Sequence, residues 1–259
     1  MPTVGLGVYQ NEQCAEACAV ALKNGYTMID SARYYENEVQ VGVGVKESGV
    51  DRASIFITSK VFHDDYGKEE TKAAIDDSIK NLGSDYYDLY LVHSPIGGKE
   101  KRLAGYKAVL EAKAAGLVRT VGVSNYAVKH IEEIREAGLE MPAVNQVELH
   151  PFCQQKPIVE YCKQHNIVVQ AYTPLVRGGF DNPVIQELAK KYNKEPAQIL
   201  IRWSLQKGFV PLPKSSNPDR IVSNLQVYDF EILEEDMAKL SALDRGKEGA
   251  ITWNPVDTE

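Results

Sequence analysis

Ser54-Ile55-Phe56-Ile57-Thr58-Ser59-Lys60, a charged stretch from Lys68 to Leu82, then Gly83, then Tyr87-Asp88-Leu89-Tyr90-Leu91-Val92-His93 form one strand–helix–strand unit. Both flanking runs are short and rich in β-branched or aromatic side chains, the composition of strands. The stretch between them reads as a helix, and Gly83 supplies the left-handed conformation that ends one. Strands joined across a helix run parallel in one sheet.

The unit recurs in both directions. Upstream, Val4-Gly5-Leu6-Gly7-Val8 and Thr27-Met28-Ile29-Asp30 read as strands; downstream, Thr120–Ser124, Ala143–Glu148, Ile167–Tyr172 and Phe209–Pro213 do. Helical patterns separate them at Gln13–Lys23, Glu38–Glu47, Tyr106–Ala115, Lys129–Ala137, Lys156–Gln164, Pro183–Tyr192 and Pro196–Lys207. Pro183 and Pro196 stand in first turns, where a missing N–H does no harm. Strands alternating with helices build a parallel sheet, and eight of them close a barrel. No proline- or serine-rich linker divides the 259 residues, so the expectation is an α/β fold, a single (β/α)8 TIM barrel domain over residues 1–259.

Composition narrows the function. Hydrophobic residues at 44% and charged residues at 25% exclude a disordered chain. The net charge of −7 lacks the basic footprint that nucleic acids require. Four cysteines are too few for a disulfide scaffold and read as reduced thiols. No apolar run approaches the roughly 18–20 residues of a membrane span. Neither a leader peptide nor a lipidation signal is visible, which makes the cytoplasm the expected compartment.

In such a barrel the carboxyl ends of the strands meet at one mouth, and that mouth carries the chemistry. Asp30 ends the second strand, Lys60 the third and His93 the fourth; Ser124 and Asn125 follow the fifth; Gln146 lies in the sixth; Tyr172 ends the seventh; Lys214-Ser215 follow the eighth. Singly, each has an ordinary explanation: a solvated lysine, a packed histidine, an aspartate capping a turn. Together they bring an ion pair and an imidazole to one place. A phenol beside that ammonium would have its pKa drawn down from about 10. Tyr34 and Tyr35 follow Asp30 in the same loop, so a proton donor for work near neutral pH is at hand.

Gly25-Tyr26-Thr27-Met28-Ile29-Asp30-Ser31-Ala32-Arg33-Tyr34-Tyr35-Glu36-Asn37-Glu38 resembles the first signature of the aldo-keto reductases. Leu212-Pro213-Lys214-Ser215, with Arg220 and Ser223-Asn224 downstream, is similar to the family's cofactor signature, and Gly122-Val123-Ser124-Asn125-Tyr126 and Asn145-Gln146-Val147-Glu148 to two further blocks. The resemblance runs from Val4 to Gly246. It implies NADPH-dependent reduction of aldehydes and activated ketones to alcohols. Tyr35 would be the proton donor, Lys60 would lower its pKa, Asp30 would hold Lys60, and His93 would orient the carbonyl. Ser124, Asn125 and Gln146 would bind the carboxamide of NADPH/NADP+, and Tyr172 would stack on its ring. Lys214 and Arg220 would take the 2′-phosphate with help from Ser215 and Ser216, and Asn224 would meet the adenine. The partner implied is a small-molecule carbonyl substrate, without nucleic acid, membrane or metal, for a monomeric enzyme.

The chain also departs from the family. Ser223 stands where many members have a glutamate. Tyr9 and Ser94 stand where relatives often have tryptophan; with Phe62, Tyr126 and Trp253 they are the candidate pocket walls, Trp253 having the alternative of packing on the barrel exterior. The loop Pro95–Arg102 and the tail after Gly246 are short, which predicts an open pocket with broad carbonyl specificity. The hairpin that usually plugs the barrel foot has no counterpart before Val4. Other patterns carry less. Gly42-x-Gly44 lacks the preceding strand and third glycine of a dinucleotide loop and reads as a glycine-containing helix. His150-x2-Cys153 and Cys162-x2-His165 have zinc-like spacing but lie on unrelated elements. Asp64-Asp65 and Glu69-Glu70 read as a loop and a helix start favoured by the helix dipole. Two other functions compete: an NADPH-binding regulatory subunit with little turnover, which the intact Asp30–Tyr35–Lys60–His93 set opposes, and a barrel isomerase or lyase holding a phosphate at the eighth strand.

Overall fold

A computed structural model describes every residue from Met1 to Glu259. Its eight strands form one parallel sheet whose spatial order is the sequence order. They are β1 (Leu6–Gly7), β2 (Met28–Asp30), β3 (Phe56–Val61), β4 (Tyr87–Val92), β5 (Val118–Ser124), β6 (Val144–Glu148), β7 (Val168–Tyr172) and β8 (Val210–Pro211). The helices are α1 (Cys14–Lys23), α2 (Glu38–Ser48), α3 (Lys68–Leu82), α4 (Lys99–Ala114), α5 (Val128–Glu136), α6 (Lys156–Gln164), α7 (Pro183–Tyr192), α8 (Pro196–Gln206), α9 (Pro218–Leu225) and α10 (Glu234–Ser241). They pack their apolar faces around the sheet in one continuous core.

The sheet closes between β8 and β1. Gly5 N–H donates to the Pro211 carbonyl (3.1 Å) and Gly7 N–H to the Pro213 carbonyl (3.0 Å). The return bonds are missing for a covalent reason. A parallel ladder would bond the Gly5 carbonyl to the nitrogen of residue 213, and proline has no N–H. Leu212, between the prolines, donates to Ala171 on the β7 side instead (3.0 Å). This one-way seam is why β1 and β8 span two residues each rather than the five predicted. Glycine brings the seam together, since a Cβ on Gly5 would lie 2.6 Å from Met28 Cε.

Met28, Val210 and Leu212, and next to them Leu89, Leu91 and Val144, fill the barrel with Phe56 between the two groups. Toward the foot, Gln170 Nε2 lies 3.3 Å from Met1 Sδ. Gln146 Nε2 donates to Gln170 Oε1 (2.8 Å) and to Asp30 Oδ2 (2.8 Å). A polar line therefore runs up the barrel interior from Met1 to the carboxylate at its mouth.

Several boundaries differ from the sequence reading. Helix α4 begins at Lys99, not Tyr106, so the loop expected over Pro95–Arg102 is shorter still. Arg102 is consequently buried on that helix, and Glu133 of α5 takes its Nε (2.6 Å) and Nη2 (2.5 Å). β3 starts at Phe56, after a short turn over Arg52–Ser54, and continues one residue past Lys60. Helices α9 and α10 follow the eighth strand, where no helix was expected; Asn217 caps α9 by accepting the Arg220 N–H (3.0 Å).

Gly42 and Gly44 do lie on a helix, α2, and serve its packing. A Cβ on Gly42 would lie 2.3 Å from the Leu82 carbonyl oxygen, and one on Gly44 2.5 Å from that of Ala15. Gly44→Ala is therefore expected to destabilise the protein by about 1–3 kcal/mol through overpacking. Propensity alone would predict a gain of about 1 kcal/mol. A thermal melt decides the sign, and a raised Tm would show that α1 and α2 can part without loss.

Candidate active site

Asp30, Lys60 and His93 reach the mouth from β2, from β3 and from just past the end of β4. Lys60, wholly buried, uses all three of its ammonium donors: Asp30 Oδ1 at 2.7 Å, the Ser31 carbonyl at 2.8 Å and Tyr35 Oη at 3.5 Å. The second Asp30 oxygen takes Gln146 Nε2. Tyr35, rather than Tyr34, is thus the phenol joined to the ion pair.

The loop that carries Tyr35 is tied down by the two residues that end its sequence signature. Asn37 Oδ1 accepts from Ser31 Oγ (2.6 Å), and Asn37 Nδ2 donates to the Val8 carbonyl (2.9 Å). Glu38, buried, accepts from Ser59 Oγ (2.5 Å) and Tyr87 Oη (3.2 Å). Asn37 and Glu38 had no assigned role in the sequence reading; a loop that must hold a phenol still needs such ties to strands on both sides.

Burial pushes the Tyr35 phenol well above its ordinary value, and the Asp30 charge pushes the same way. It therefore stays protonated through neutral pH. Burial pulls the Lys60 ammonium below its usual value against the opposing pull of Asp30. Burial, with Lys60 and His63 nearby, holds His93 well below its normal pKa, so its imidazole is neutral. His93 Nδ1 is sealed without a partner, which leaves Nε2 as the ring nitrogen open to the pocket.

Aromatic rings wall this group. Tyr9 lies 4.8 Å from Tyr35, Phe62 lies 5.4 Å from His93, and Trp253 lies 6.2 Å from Phe62 and 6.5 Å from His93. Trp253 thus faces the mouth rather than packing on the exterior. Tyr34, stacked on Phe62 at 4.3 Å, and His63, at 3.9 Å from the same ring, belong to this wall and were missed by the sequence reading as walls. Their positions beside Tyr35 and Phe62 were the available signal. Two candidates do not belong to it. Tyr126 is buried against His130 at 5.6 Å, near Arg102 and Glu133 under the outer helices. Ser94 is fully buried; its backbone N–H and carbonyl both meet Tyr66 Oη, and its hydroxyl meets His63 Nδ1 at 3.2 Å.

The expected cofactor residues divide likewise. Ser124 Oγ donates to the Gln146 carbonyl (2.8 Å), and Asn125 Nδ2 donates to the His93 carbonyl (3.1 Å). Tyr172 Oη lies between Asn125 Oδ1 (2.8 Å) and the Trp253 carbonyl (2.9 Å). Gln146 spends its amide donors within the protein, so its carbonyl oxygen is what it can offer an incoming amide. Past β8, Lys214 and Arg220 are exposed, take part in no ion pair and bracket the start of α9. Ser216 is half-buried beside them and Asn224 is buried on α9. Ser215 is less available: its hydroxyl accepts the Asn217 N–H (3.1 Å) and its carbonyl takes Asn11 Nδ2 (3.2 Å). Two unpaired cations at a helix N-terminus, with an amide acceptor at the far side of the mouth, fit a phosphorylated dinucleotide.

The residues with zinc-like spacing are engaged elsewhere. His150 pairs with Glu148 (2.9 Å), Cys162 lies by Asn145 (3.9 Å), and His165 stacks on Tyr161 at 4.0 Å. Cys14 and Cys18 are buried, as expected. In the acidic cluster, Asp65 pairs with Arg33 (3.0 Å), and Glu69 and Glu70 occupy the first turn of α3.

The sequence profile of the Aldo/keto reductase family matches residues 3–245. The chain is 45% identical over 249 residues to the glyoxal reductase of Bacillus subtilis (strain 168), covering 95% of this chain and 90% of that protein. Its fold is similar to that of MGS-M4, an aldo-keto reductase from a Medee basin deep-sea metagenome library (TM-score 0.94, 38% identity, 100% of this chain and 96% of that one). It is similar as well to a Bombyx mori aldo-keto reductase solved in complex with NADP (TM-score 0.88, 33% identity, 95% and 90%).

Proposed function

Because this chain belongs to the aldo/keto reductase family, we propose that Tyr35, Lys60, Asp30 and His93 carry out its NADPH-dependent carbonyl reduction, with α-oxoaldehydes as the favoured substrates. The observation that carries the reading is Lys60, whose three donors join Asp30, the Ser31 carbonyl and Tyr35. Bound NADPH supplies the hydride that the carbonyl carbon accepts. Tyr35 Oη gives its proton to the carbonyl oxygen, and the Lys60 ammonium stabilises the phenolate left behind. A neutral His93 holds that oxygen in place by donating from Nε2, the ring nitrogen open to the pocket, the tautomer this role requires. Tyr9, Phe62, Tyr34 and Trp253 line the mouth through which the substrate enters.

A second carbonyl next to the first withdraws electrons and makes the carbon a better hydride acceptor. The glyoxal reductase relative supports the same class. The loss of NADPH absorbance is expected to give kcat/KM for glyoxal and methylglyoxal well above that for butanal. No turnover of any carbonyl would refute the reading. Tight NADPH binding without turnover would instead favour a regulatory subunit, the function that the complete Asp30–Tyr35–Lys60–His93 group argues against.

Lys214 and Arg220 are assigned to the 2′-phosphate, whose charge-assisted hydrogen bonds contribute about 1.5–3 kcal/mol each. Replacing both by alanine is expected to raise the NADPH Kd by roughly 10²- to 10⁴-fold while the NADH Kd barely moves. Equal weakening of both cofactors would place the two cations elsewhere. Ser223, in place of a glutamate, leaves adenine to Asn224.

A further inference from the structure

Trp253 stands at the pocket with its side chain nearly half exposed (47%) and its neighbouring rings 6.2–6.5 Å away. An indole so poorly covered gains little from burial, so something else must fix its position. The backbone on either side does. Before Trp253, the wholly buried Glu148 carboxylate accepts the Ile251 N–H (2.7 Å), the Thr252 N–H (3.1 Å) and the Thr252 hydroxyl. The Trp253 carbonyl shares the Tyr172 hydroxyl (2.9 Å) with Asn125 Oδ1 (2.8 Å). Glu148 and Tyr172 are register partners at the ends of β6 and β7, so two adjacent strand ends grip three consecutive residues of the tail.

Further along, the Thr258 carbonyl meets His130 Nε2 (2.7 Å), and the Glu259 carbonyl accepts from Arg102 Nη1 (3.0 Å). Upstream, Gly249 lets the chain lie flat on Phe152, where a Cβ would come within 1.8 Å of the carbonyl oxygen. The tail is a strap pinned at both ends, and Trp253 lies along its span.

A buried carboxylate is expensive unless donors surround it, and an apolar side chain at the end of β6 would serve barrel stability as well. Here the strap supplies three donors to Glu148, and His150 Nε2 (2.9 Å) is its other partner. We propose that Glu148 is a positioning residue for substrate selection, clasping the strap so that Trp253 forms the outer wall of the pocket. This assignment rests on the reductase reading and deepens it: Trp253 would select for carbonyl substrates bearing an aromatic or other bulky group.

The test is Glu148→Gln, which keeps the shape and removes the charge that attracts the three donors. With NADPH saturating, the ratio of KM for phenylglyoxal to KM for glyoxal is expected to rise about 3- to 10-fold, the scale of one aromatic contact. Trp253→Ala should give the same rise, and the double variant no more than either single one. The chain has two tryptophans, and Trp203 is buried, so acrylamide quenching reports Trp253 without any turnover. Quenching should increase in Glu148→Gln. Should that variant fail to fold, Thr252→Val removes one leg of the clasp and should shift both readouts the same way by less. A lowered Tm with the KM ratio and the quenching both at wild-type values would overturn the proposal and leave Glu148 a purely structural group. If the wild type reduced no carbonyl, the reductase reading would fall, while quenching would still decide whether Glu148 holds Trp253.

Discussion

Tyr35→Phe is expected to lower kcat for carbonyl reduction by about 10²- to 10⁴-fold, the usual contribution of a positioned general acid. The substitution deletes one oxygen and little else. The ring keeps its contacts with Tyr9 at 4.8 Å and His93 at 5.7 Å, and Lys60 keeps its two shorter bonds, to Asp30 and to the Ser31 carbonyl. Stability and NADPH affinity should therefore stay near wild type, so the loss falls on the proton-transfer step. Stopped-flow single turnovers with NADPH and methylglyoxal separate that step from cofactor binding. Wild-type pH dependence follows from the same geometry. Reduction needs Tyr35 protonated and Lys60 charged; burial raises the first pKa and lowers the second. The rate should hold level through neutral pH and fall on the alkaline side, beginning below the ordinary lysine value of about 10.4. A Tyr35→Phe rate within a few-fold of wild type would move the donor role to another group, and Tyr34 would be the first to examine.

How much of this was legible beforehand depended on the kind of interaction. Periodicity exposed the strands because a parallel strand buried on both faces must be apolar, and the order of the eight followed from the helices between them. Asp30, Lys60 and His93 were legible as neighbours because barrel geometry brings strand ends together; Tyr35 lies on a loop, and the family resemblance singled it out from Tyr34. Closure was less so: the prolines at 211 and 213 mark β8 in the sequence, but only the fold shows that their missing donors all face β1. Helix α9 was hidden by its own signal, since Asn217-Pro218 is a good helix start that lay inside a stretch read for its ligands. Ser94 and Tyr126 were misplaced because adjacency to a site residue says nothing about which way the next side chain points; successive residues of an extended chain face opposite sides. The burial that raises the Tyr35 phenol was not legible, because sequence shows a neighbouring charge but not how deeply the ring is enclosed. The Glu148 clasp joins residues about a hundred positions apart, and no local pattern reports such a contact.

Lys60→Met is expected to remove activity and to destabilise the fold, and the two losses can be separated. The ammonium has no solvent to return to, and neither has Asp30, only 3% exposed. Without Lys60, Asp30 keeps Gln146 Nε2 as its side-chain donor and becomes a buried charge lacking its counterion. Breaking a buried pair from one side costs about 3–5 kcal/mol, which in a chain of this size lowers Tm by on the order of 10 °C. Removing both charges should behave differently. In Lys60→Met/Asp30→Asn no ion remains stranded, an amide can still meet Gln146, and much of the lost Tm should return. Activity should not return with it, because the phenolate at Tyr35 would still form beside a methyl group instead of an ammonium. Thermal melts and single-turnover rates on the two variants give four numbers, and only one pattern fits a pair kept for chemistry: Tm recovered in the double variant, rate lost in both. If the rate recovered with Tm, the ion pair would be scaffolding, and the acid work of Tyr35 would have to draw its support from His93 alone.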